Sequence, residues 1–482
     1  PRHRSAYDHD GDGYSEIPKL HGQTIGFRSF LKTTTYSKLT FEYHHMEEFR
    51  RGGDLLNRPP HEANVAEQTE HSINGGGLKF DYFSPNENHR FNVFASAQHI
   101  NRDSYYGPGD RDPLDAYGNT TDLNWMAGSQ YVYSFGKCIF MPSDLTVGIE
   151  FNQDKLEDNM WGYNRTVDQK VNIGSAFLQN EWKNDHWGFL IGGRLDKHNL
   201  IDHVIFSPRA NLRYNPTENI NLRFSYSSGF RAPQAFDEDL HVENVGGNVA
   251  MVELADNLKE ERSQSLSASA DIYHRFGAFQ VNFLVEGFYT KLSDVFALTD
   301  GEVVDGILTR TRHNASGAQV MGLTLEGKMA YLNKIQVQAG VTLQQSHYSK
   351  PHIWNKEAPA VKKMMRTPNT YGYFTATYTP IKPLSIALSG TYTGSMLVPH
   401  EPVPGFLENP ITVNTKDFFD IGLKAAYDFK LYKSMNLQLN AGIQNIFNAY
   451  QDDFDKGADR DSGYIYGPSL PRSFFAGVKI SY

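Results

Sequence analysis

Apolar and polar residues alternate along most of this chain. In residues 279–290, FQVNFLVEGFYT, the side chains of Phe279, Val281, Phe283 and Val285 fall on one face of an extended segment, and mostly polar residues fall on the other. Residues 435–444, MNLQLNAGIQ, repeat this pattern. A period of two is typical of a β-strand with one apolar face. The chain is therefore predicted to be all-β.

Two all-β architectures fit this alternation. A sandwich buries its apolar faces against each other, whereas a membrane barrel turns them to lipid and keeps polar side chains in a wet lumen. The connections favour the barrel, because short turns such as residues 215–219, 275–278 and 379–383 alternate with long loops such as 51–70, 104–119 and 229–262. Short periplasmic turns and long extracellular loops are typical of outer-membrane barrels.

The pattern predicts nineteen strands. Their expected starts lie near Leu20, Tyr36, His71, His89, Thr121, Leu145, Gln169, Asp185, His203, Asn219, Ser263, Ala278, Leu308, Lys334, Arg366, Pro383, Lys416, Lys433 and Arg472. Single-chain bacterial barrels normally have an even number of strands. We therefore expect residues 1–19 to be the remnant of an extracellular loop, residues 20–482 to be the barrel, and the first strands to be missing from this chain.

Composition narrows the function without identifying it. The net charge of −9 is spread along the 482 residues. This distribution gives no basic patch of the kind that binds nucleic acid. Mean hydropathy is −0.52 although 13% of the residues are aromatic. No stretch approaches the roughly 18–20 apolar residues of a membrane helix. A single cysteine, Cys138, excludes an intrachain disulfide.

Three segments resemble TonB-dependent outer-membrane receptors. They are YSSGFRAPQAFDEDL (residues 226–240), NLKEERSQSLSASADI (257–272) and GIQNIFNAYQ (442–451), which is followed by the terminal LPRSFFAGVKISY. The resemblance implies a barrel of 22 strands, so about three would be absent here. It also implies an N-terminal plug domain, which we expect to lie outside residues 1–482.

This resemblance implies active transport rather than catalysis. The expected function is import of a scarce nutrient across the bacterial outer membrane, powered by the TonB–ExbB–ExbD system, with a surface lipoprotein as a further partner. The expected ligand is an iron or cobalt chelate: haem, a ferric siderophore or cobalamin. A passive porin or a surface adhesin is the alternative. An enzyme is not expected, since no nucleophile elbow or local triad is found in the sequence.

The long segment after residue 228 carries the first candidate ligand site. In haem-uptake receptors a FRAP segment precedes a histidine, and here residues 230–233 precede His241. Imidazole is a good axial ligand for haem iron. The second motif of that branch is replaced by ADNL (residues 255–258), which lacks its proline, and an ordinary loop histidine remains the other interpretation. Arg231, Gln234 and Asp237 are further ligand candidates in the same segment.

An acidic segment near the start is the candidate metal site. In YDHDGDGYSE (residues 7–16), Asp8, Asp10 and Asp12 match the first half of a calcium-binding loop, and Glu16 could replace the glutamate missing from its twelfth position. The resemblance makes a loop-stiffening Ca²⁺ plausible, since cobalamin receptors of the family have calcium-ordered loops. A solvated acidic turn is the alternative.

Further candidates lie in other external loops. Tyr105, Tyr106 and Tyr464 are candidate ligand contacts, although most aromatic residues near loop bases are expected to anchor the barrel at the membrane interface. Arg50 and Arg51 are expected to pair with nearby carboxylates. In the acidic loop of residues 451–463, Lys456 and Arg460 are expected to form ion pairs within the loop.

Overall fold

The computed structural model describes residues 2–108, 117–240, 243–245, 248–304, 307–432, 434–467 and 470–481. These residues form 27 strands, which we number in chain order: β1 (Arg2–Arg4), β2 (Ser15–Thr34), β3 (Ser37–Gly53), β4 (Val65–Phe83), β5 (His89–Pro108), β6 (Tyr117–Cys138), β7 (Met141–Met160), β8 (Arg165–Lys183), β9 (Trp187–His198), β10 (Ile205–Thr217), β11 (Ile220–Arg231), β12 (Glu243–Val245), β13 (Asn248–Leu254), β14 (Glu261–Phe276), β15 (Phe279–Ser293), β16 (Phe296–Val304), β17 (Ile307–Asn314), β18 (Ala318–Tyr331), β19 (Ile335–His352), β20 (Val361–Lys363), β21 (Thr370–Ile381), β22 (Leu384–Thr393), β23 (Leu397–His400), β24 (Ile411–Asn414), β25 (Phe418–Tyr432), β26 (Met435–Gln444) and β27 (Ser473–Ser481). Three single-turn 3₁₀ helices complete the described elements: Pro60–Glu62, Trp161–Tyr163 and Asp237–Leu240.

One antiparallel sheet of 21 strands forms the wall of the barrel. Two of its strands, β1 and β20, have only three residues each. The other nineteen pair in succession from β2 to β27, as the alternation predicted. Within the described ranges, no helix has the length and apolar character needed to cross a bilayer.

The wall has an apolar outer face and a polar inner face. Phe283 of β15 and Val478 of β27 point outward and are highly exposed, at 46% and 68%. Their neighbours in sequence, such as Asn282, point into the barrel. This is the arrangement expected of a sheet that contacts lipid outside and water inside. The predicted transmembrane β-barrel is confirmed by the nearly all-strand architecture.

Short and long connections lie at opposite ends of the wall. Two-residue turns join β2 to β3 and β14 to β15, and Gly277 in the second turn has a φ of +58°, which glycine adopts without a Cβ clash. At the other end, residues 232–260, 294–317 and 445–472 form long loops. Two connections at that end are short, residues 161–164 and 199–204, so the predicted alternation of loop length is not strict.

The predicted start of the thirteenth wall strand near Leu308 is wrong. The wall strand is β18, which begins at Ala318, and residues around Leu308 form β17. Strand β17 pairs with β13 and β16 in a separate four-stranded sheet made by the long loops. Alternation identified an extended segment here, but it cannot distinguish a wall strand from a loop strand.

The outer face gives a testable prediction. Ile149 lies near the middle of β7 and is 61% exposed. The change Ile149→Arg places a charge in the hydrocarbon layer, so we expect the free energy of unfolding to fall by about 2–4 kcal/mol. Asn152→Arg on the inner face is the matched control, with an expected change below about 1 kcal/mol. Urea unfolding in lipid vesicles measures both, and equal losses would contradict the assigned faces.

Candidate functional site

A cavity of about 810 Å³ opens at the long-loop end of the barrel. Its walls come from β3 and β4 and from loops near both ends of the chain. The lining includes four arginines and six carboxylate residues: Arg50, Arg310, Arg366, Arg460, Glu16, Glu48, Glu67, Glu401, Asp455 and Asp461. The aromatic lining residues are Tyr14, Tyr106, Phe454 and Tyr464, and His71 adds an imidazole.

The strand period determines which wall residues reach this cavity. On β3, Glu48 and Arg50 lie on the inner face and both line it; on β4, Glu67, Thr69 and His71 do so. Arg50 donates to Glu48 at 2.6 Å, which confirms the expected pairing of this arginine. The inner faces of these strands therefore give the cavity a polar floor.

Arg51 lies on the other face of β3 and has a different environment. It is 1% exposed, and its guanidinium donates to the backbone carbonyls of Gly52 at 2.5 Å and Asp54 at 3.1 Å. The Asp54 carboxylate instead accepts from Asn64 and from the backbone N–H of Val65. Arg51 therefore holds the loop after β3 through carbonyl oxygens.

The acidic segment of residues 8–16 is a tight turn with converging carboxylates. Asp8 accepts the backbone N–H groups of Gly11 at 2.8 Å and Gly13 at 2.9 Å, and both glycines have positive φ. One carboxylate oxygen from each of Asp8, Asp10, Asp12 and Glu16 lies within 4.8 Å of the others. The structure thus brings together all four residues that the sequence indicated for a metal.

Cations from the far end of the chain approach this cluster. Arg460 forms ion pairs with Glu16 at 2.5 Å and Asp12 at 2.8 Å, and Lys456 lies 3.3 Å from Asp10. The N–H of Gly457 also donates to Asp12 at 2.7 Å. We call this contact between residues 8–16 and residues 456–460 the clasp.

The clasp corrects the interpretation of the second acidic loop. Lys456 and Arg460 were expected to pair within residues 451–463, but their ion pairs cross to residues 10–16. The prediction is wrong because the two loops are adjacent only after the sheet has formed. Their separation of more than 440 residues in sequence gave no sign of this contact.

Titration of Asp12 connects the clasp to pH. Burial opposes ionisation of Asp12, but hydrogen bonds from Gly457 and Tyr14 and the charge of Arg460 outweigh it and lower its pKa. A lowered carboxyl pKa stabilises the folded state above the ordinary aspartate pKa, and the contribution is lost as pH falls through the lowered value. At neutral pH Asp12 is therefore ionised and pairs with Arg460 in the clasp.

Tyr464 lies in a buried cluster beside the cavity. It stacks on His400 with 3.8 Å between ring centroids, and His400 pairs with Asp455 at 2.9 Å. The hydroxyls of Tyr464 and Tyr466 both donate to Asp453. Burial and the Asp453 charge raise the pKa of both tyrosines, so both remain protonated donors. Tyr464 forms part of the cavity wall with its hydroxyl already bonded.

Tyr105 and Tyr106 have different environments, because adjacent residues of a β-strand point to opposite faces of the sheet. Tyr106 lines the cavity, while its buried ring packs with Met160 and Tyr163. Tyr105 is 0% exposed, packs with Ala63 and Ala66 against the loop after β3, and is not among the residues that line the cavity.

The FRAP segment lies away from this cavity. Arg231 stacks on Phe236 at 3.8 Å and faces Glu261 at 3.9 Å, and Gln234 is 3.3 Å from His198. Asp237 lies in the third 3₁₀ helix. His241 lies outside the described residues. Arg231 and Gln234 are thus engaged in packing the start of the long loop.

A buried charge chain, which the sequence did not indicate, fixes that long loop to the wall. Asp158 is 0% exposed and lies 3.6 Å from both Arg102 and Arg165. Arg165 also donates to the carbonyls of Asp239 and Val252, and Arg312 pairs with Asp239 at 2.5 Å. These partners come from four separate parts of the chain, so only the folded barrel assembles them.

Comparisons with known proteins agree with this architecture. Residues 5–446 match the family model described as TonB dependent receptor-like, beta-barrel. A search of curated protein sequences gives no match.

Several solved structures share the fold at low identity. The siderophore receptor PirA of Acinetobacter baumannii is 14% identical, with 97% of this chain and 72% of that chain covered and a TM-score of 0.72. A mutant ferric enterobactin receptor, PfeA of Pseudomonas aeruginosa, in complex with enterobactin, is 17% identical, with 98% and 72% covered and a TM-score of 0.70. The FrpB iron transporter of Neisseria meningitidis is 14% identical, with 99% and 76% covered and a TM-score of 0.68.

The clasp can be tested by hydrogen exchange. The change Arg460→Met removes two charge-assisted pairs, each worth about 1.5–3 kcal/mol. We expect amides of residues 8–16 to exchange at least about a hundredfold faster, with exchange of the wall strands unchanged. Lys456→Met is the matched control, because that side chain is 71% exposed and its pair with Asp10 should contribute little. Unchanged protection in Arg460→Met would show that the clasp does not order the loop.

Proposed function

Because this chain belongs to the family of TonB-dependent receptor-like β-barrels, we propose that it imports a ferric siderophore across the bacterial outer membrane. Members of this family are transporters of the outer membrane, and the chain is accordingly a transporter and not an enzyme. Energy would come from the TonB–ExbB–ExbD system acting through a plug domain. The ligand would first bind in the cavity at the long-loop end of the barrel.

The cavity is the observation that carries this proposal. Its volume of about 810 Å³ falls within the range of small-molecule sites. Its lining combines aromatic surfaces, such as Phe454 and Tyr14, with many polar groups that can orient a chelate. A cavity enclosed by loops from both chain ends suits capture of a dilute ligand before transport.

The names of structural relatives favour siderophores over the other chelates. PirA is a siderophore receptor, PfeA is a ferric enterobactin receptor, and FrpB is an iron transporter. At 14–17% identity these structures share only the fold, so they support the ligand class by analogy. Haem is the second candidate, because His71 lines the cavity and imidazole is a suitable axial ligand. Cobalamin remains the third.

Ligand binding gives a direct test of the site. Purified full-length receptor is titrated with ferric siderophores, haem and cobalamin, and quenching of tryptophan fluorescence reports binding. For the chelate that binds, Phe454→Ala should weaken affinity about tenfold, since it removes an aromatic contact from the lining. Phe447→Ala is the matched control in the same connection, because Phe447 is 66% exposed and does not line the cavity.

Transport separates the proposal from a porin or an adhesin. Cells that carry the receptor as their sole route should accumulate the radiolabelled iron chelate only when TonB is present. Uptake that continues without TonB would indicate a passive pore, and binding without uptake would indicate an adhesin. Either outcome would contradict active import.

We also propose that Ca²⁺ binds the carboxylates of Asp8, Asp10, Asp12 and Glu16. The donor set fits, because hard carboxylate oxygens are the ligands that Ca²⁺ prefers and these four converge within 4.8 Å. Four carboxylates beside Lys456 and Arg460 leave two negative charges, which one Ca²⁺ would neutralise. The bound ion would stiffen the acidic turn that forms one side of the clasp.

Calorimetric titration tests this ion site. We expect Ca²⁺ to bind with a dissociation constant of about 10⁻⁴–10⁻³ M, typical of extracellular modules. Asp8→Asn should weaken binding at least about tenfold, because Asp8 has no basic partner among the described ion pairs. Asp103→Asn, a carboxylate on β5 outside the cluster, is the control. Heat of binding that is absent, or equal in the Asp8 variant, would contradict the site.

A further inference from the structure

The charges that line the cavity at the long-loop end of the barrel constrain the charge of its ligand. Among the described residues, its lining has six carboxylates and four guanidiniums. We propose that the cavity selects a ferric chelate of neutral or positive net charge over a trianionic one. This inference rests on the proposed function, because it specifies which ferric siderophores would be accepted.

Three of the four lining arginines are already paired with carboxylates. Arg50 lies 2.6 Å from Glu48, and Arg460 lies 2.5 Å from Glu16. Arg310 lies 3.0 Å from Asp300 and 3.5 Å from Glu401. A pair of opposite charges presents little net field to a third group, so these arginines offer weak attraction to an anion.

The fourth arginine is directed towards backbone oxygen atoms. Arg366 donates to the carbonyl of Ile465 at 2.8 Å and to the carbonyl of Gly463. These bonds hold its guanidinium against the loop of residues 445–472. An incoming anion would have to compete with them for the same donors.

Some carboxylates that line the cavity are not paired with these arginines and can face the ligand. Glu67 is exposed, lies on the inner face of β4 with Thr69 and His71, and has no ion pair with any basic side chain in the described part of the chain. Asp461 accepts backbone N–H groups of Glu401 and Gly463, so its charge is solvated without being neutralised. The lining therefore presents net negative potential.

Iron chelates differ in net charge, so a negative potential in the cavity would discriminate between them. Three hydroxamate groups neutralise Fe³⁺, whereas three catecholate groups leave three excess negative charges. Like charges placed together in a binding site cost several kcal/mol, and they also slow association. A trihydroxamate complex, or one with an additional amine, meets no such cost here.

Three probes of similar size test the inference on the full-length receptor. They are a neutral ferric trihydroxamate, a monocationic ferric trihydroxamate with a free amine, and the trianionic ferric enterobactin complex. We expect the first two to bind at least about tenfold tighter than the third. As ionic strength rises, affinity for the trianion should rise and affinity for the cation should fall, because salt screens repulsion and attraction alike.

A single variant connects the selectivity to the cavity. Glu67→Gln should tighten binding of the trianion about fivefold and change binding of the neutral chelate by less than about twofold. Glu70→Gln is the matched control, because Glu70 lies on the outer face of the same strand and is absent from the lining. It should leave all three affinities unchanged.

The outcomes separate this inference from the proposed function. Tight binding of the trianion that weakens with salt and ignores Glu67→Gln would overturn the charge selectivity and leave siderophore import standing. Failure of all three chelates to bind, with haem or cobalamin binding instead, would overturn the proposed function and this inference with it.

Discussion

Every backbone N–H and C=O group inside a bilayer must find a partner within the protein, because lipid offers none. The nineteen wall strands meet this demand by pairing in succession in one antiparallel sheet. The period of two follows from the same sheet, since alternate residues face lipid and lumen. The long loops, the cavity and the charge pairs all lie where this ladder ends.

Loops at the rim lack that ladder and are held by buried charge instead. Asp158 connects Arg102 and Arg165 on the wall, and Arg312 reaches Asp239 from a neighbouring loop. A buried charge without its partner is strongly destabilising, so such pairs fix one arrangement even where their net stabilisation is small. The clasp at Arg460 does the same for the two ends of the chain, nearer to solvent.

The cavity exists because these rim contacts bring distant segments together. Its floor comes from β3 and β4, while Arg310, Glu401 and Asp461 come from three different loops. Most of its arginines stabilise the loops through ion pairs, which leaves carboxylates to set the field. The ion pairs of these arginines therefore stabilise the loops at this end of the barrel. The same ion pairs underlie the charge selectivity that we propose for the cavity.

The sequence alone determined the all-β class, the barrel, the strand number and the transporter family. These follow from local periodicity and contiguous motifs, which need no knowledge of contacts between distant residues. It also identified the four carboxylates of residues 8–16, because one short turn brings them together. It could not tell which of Tyr105 and Tyr106 lines the cavity, because register decides which face each residue takes. It also could not separate the loop strand near Leu308 from a wall strand, because both alternate in the same way. Only the tertiary structure placed Arg460 against Glu16 and Arg310 against Glu401, since folding of the sheet and its loops makes neighbours of residues that the sequence keeps far apart.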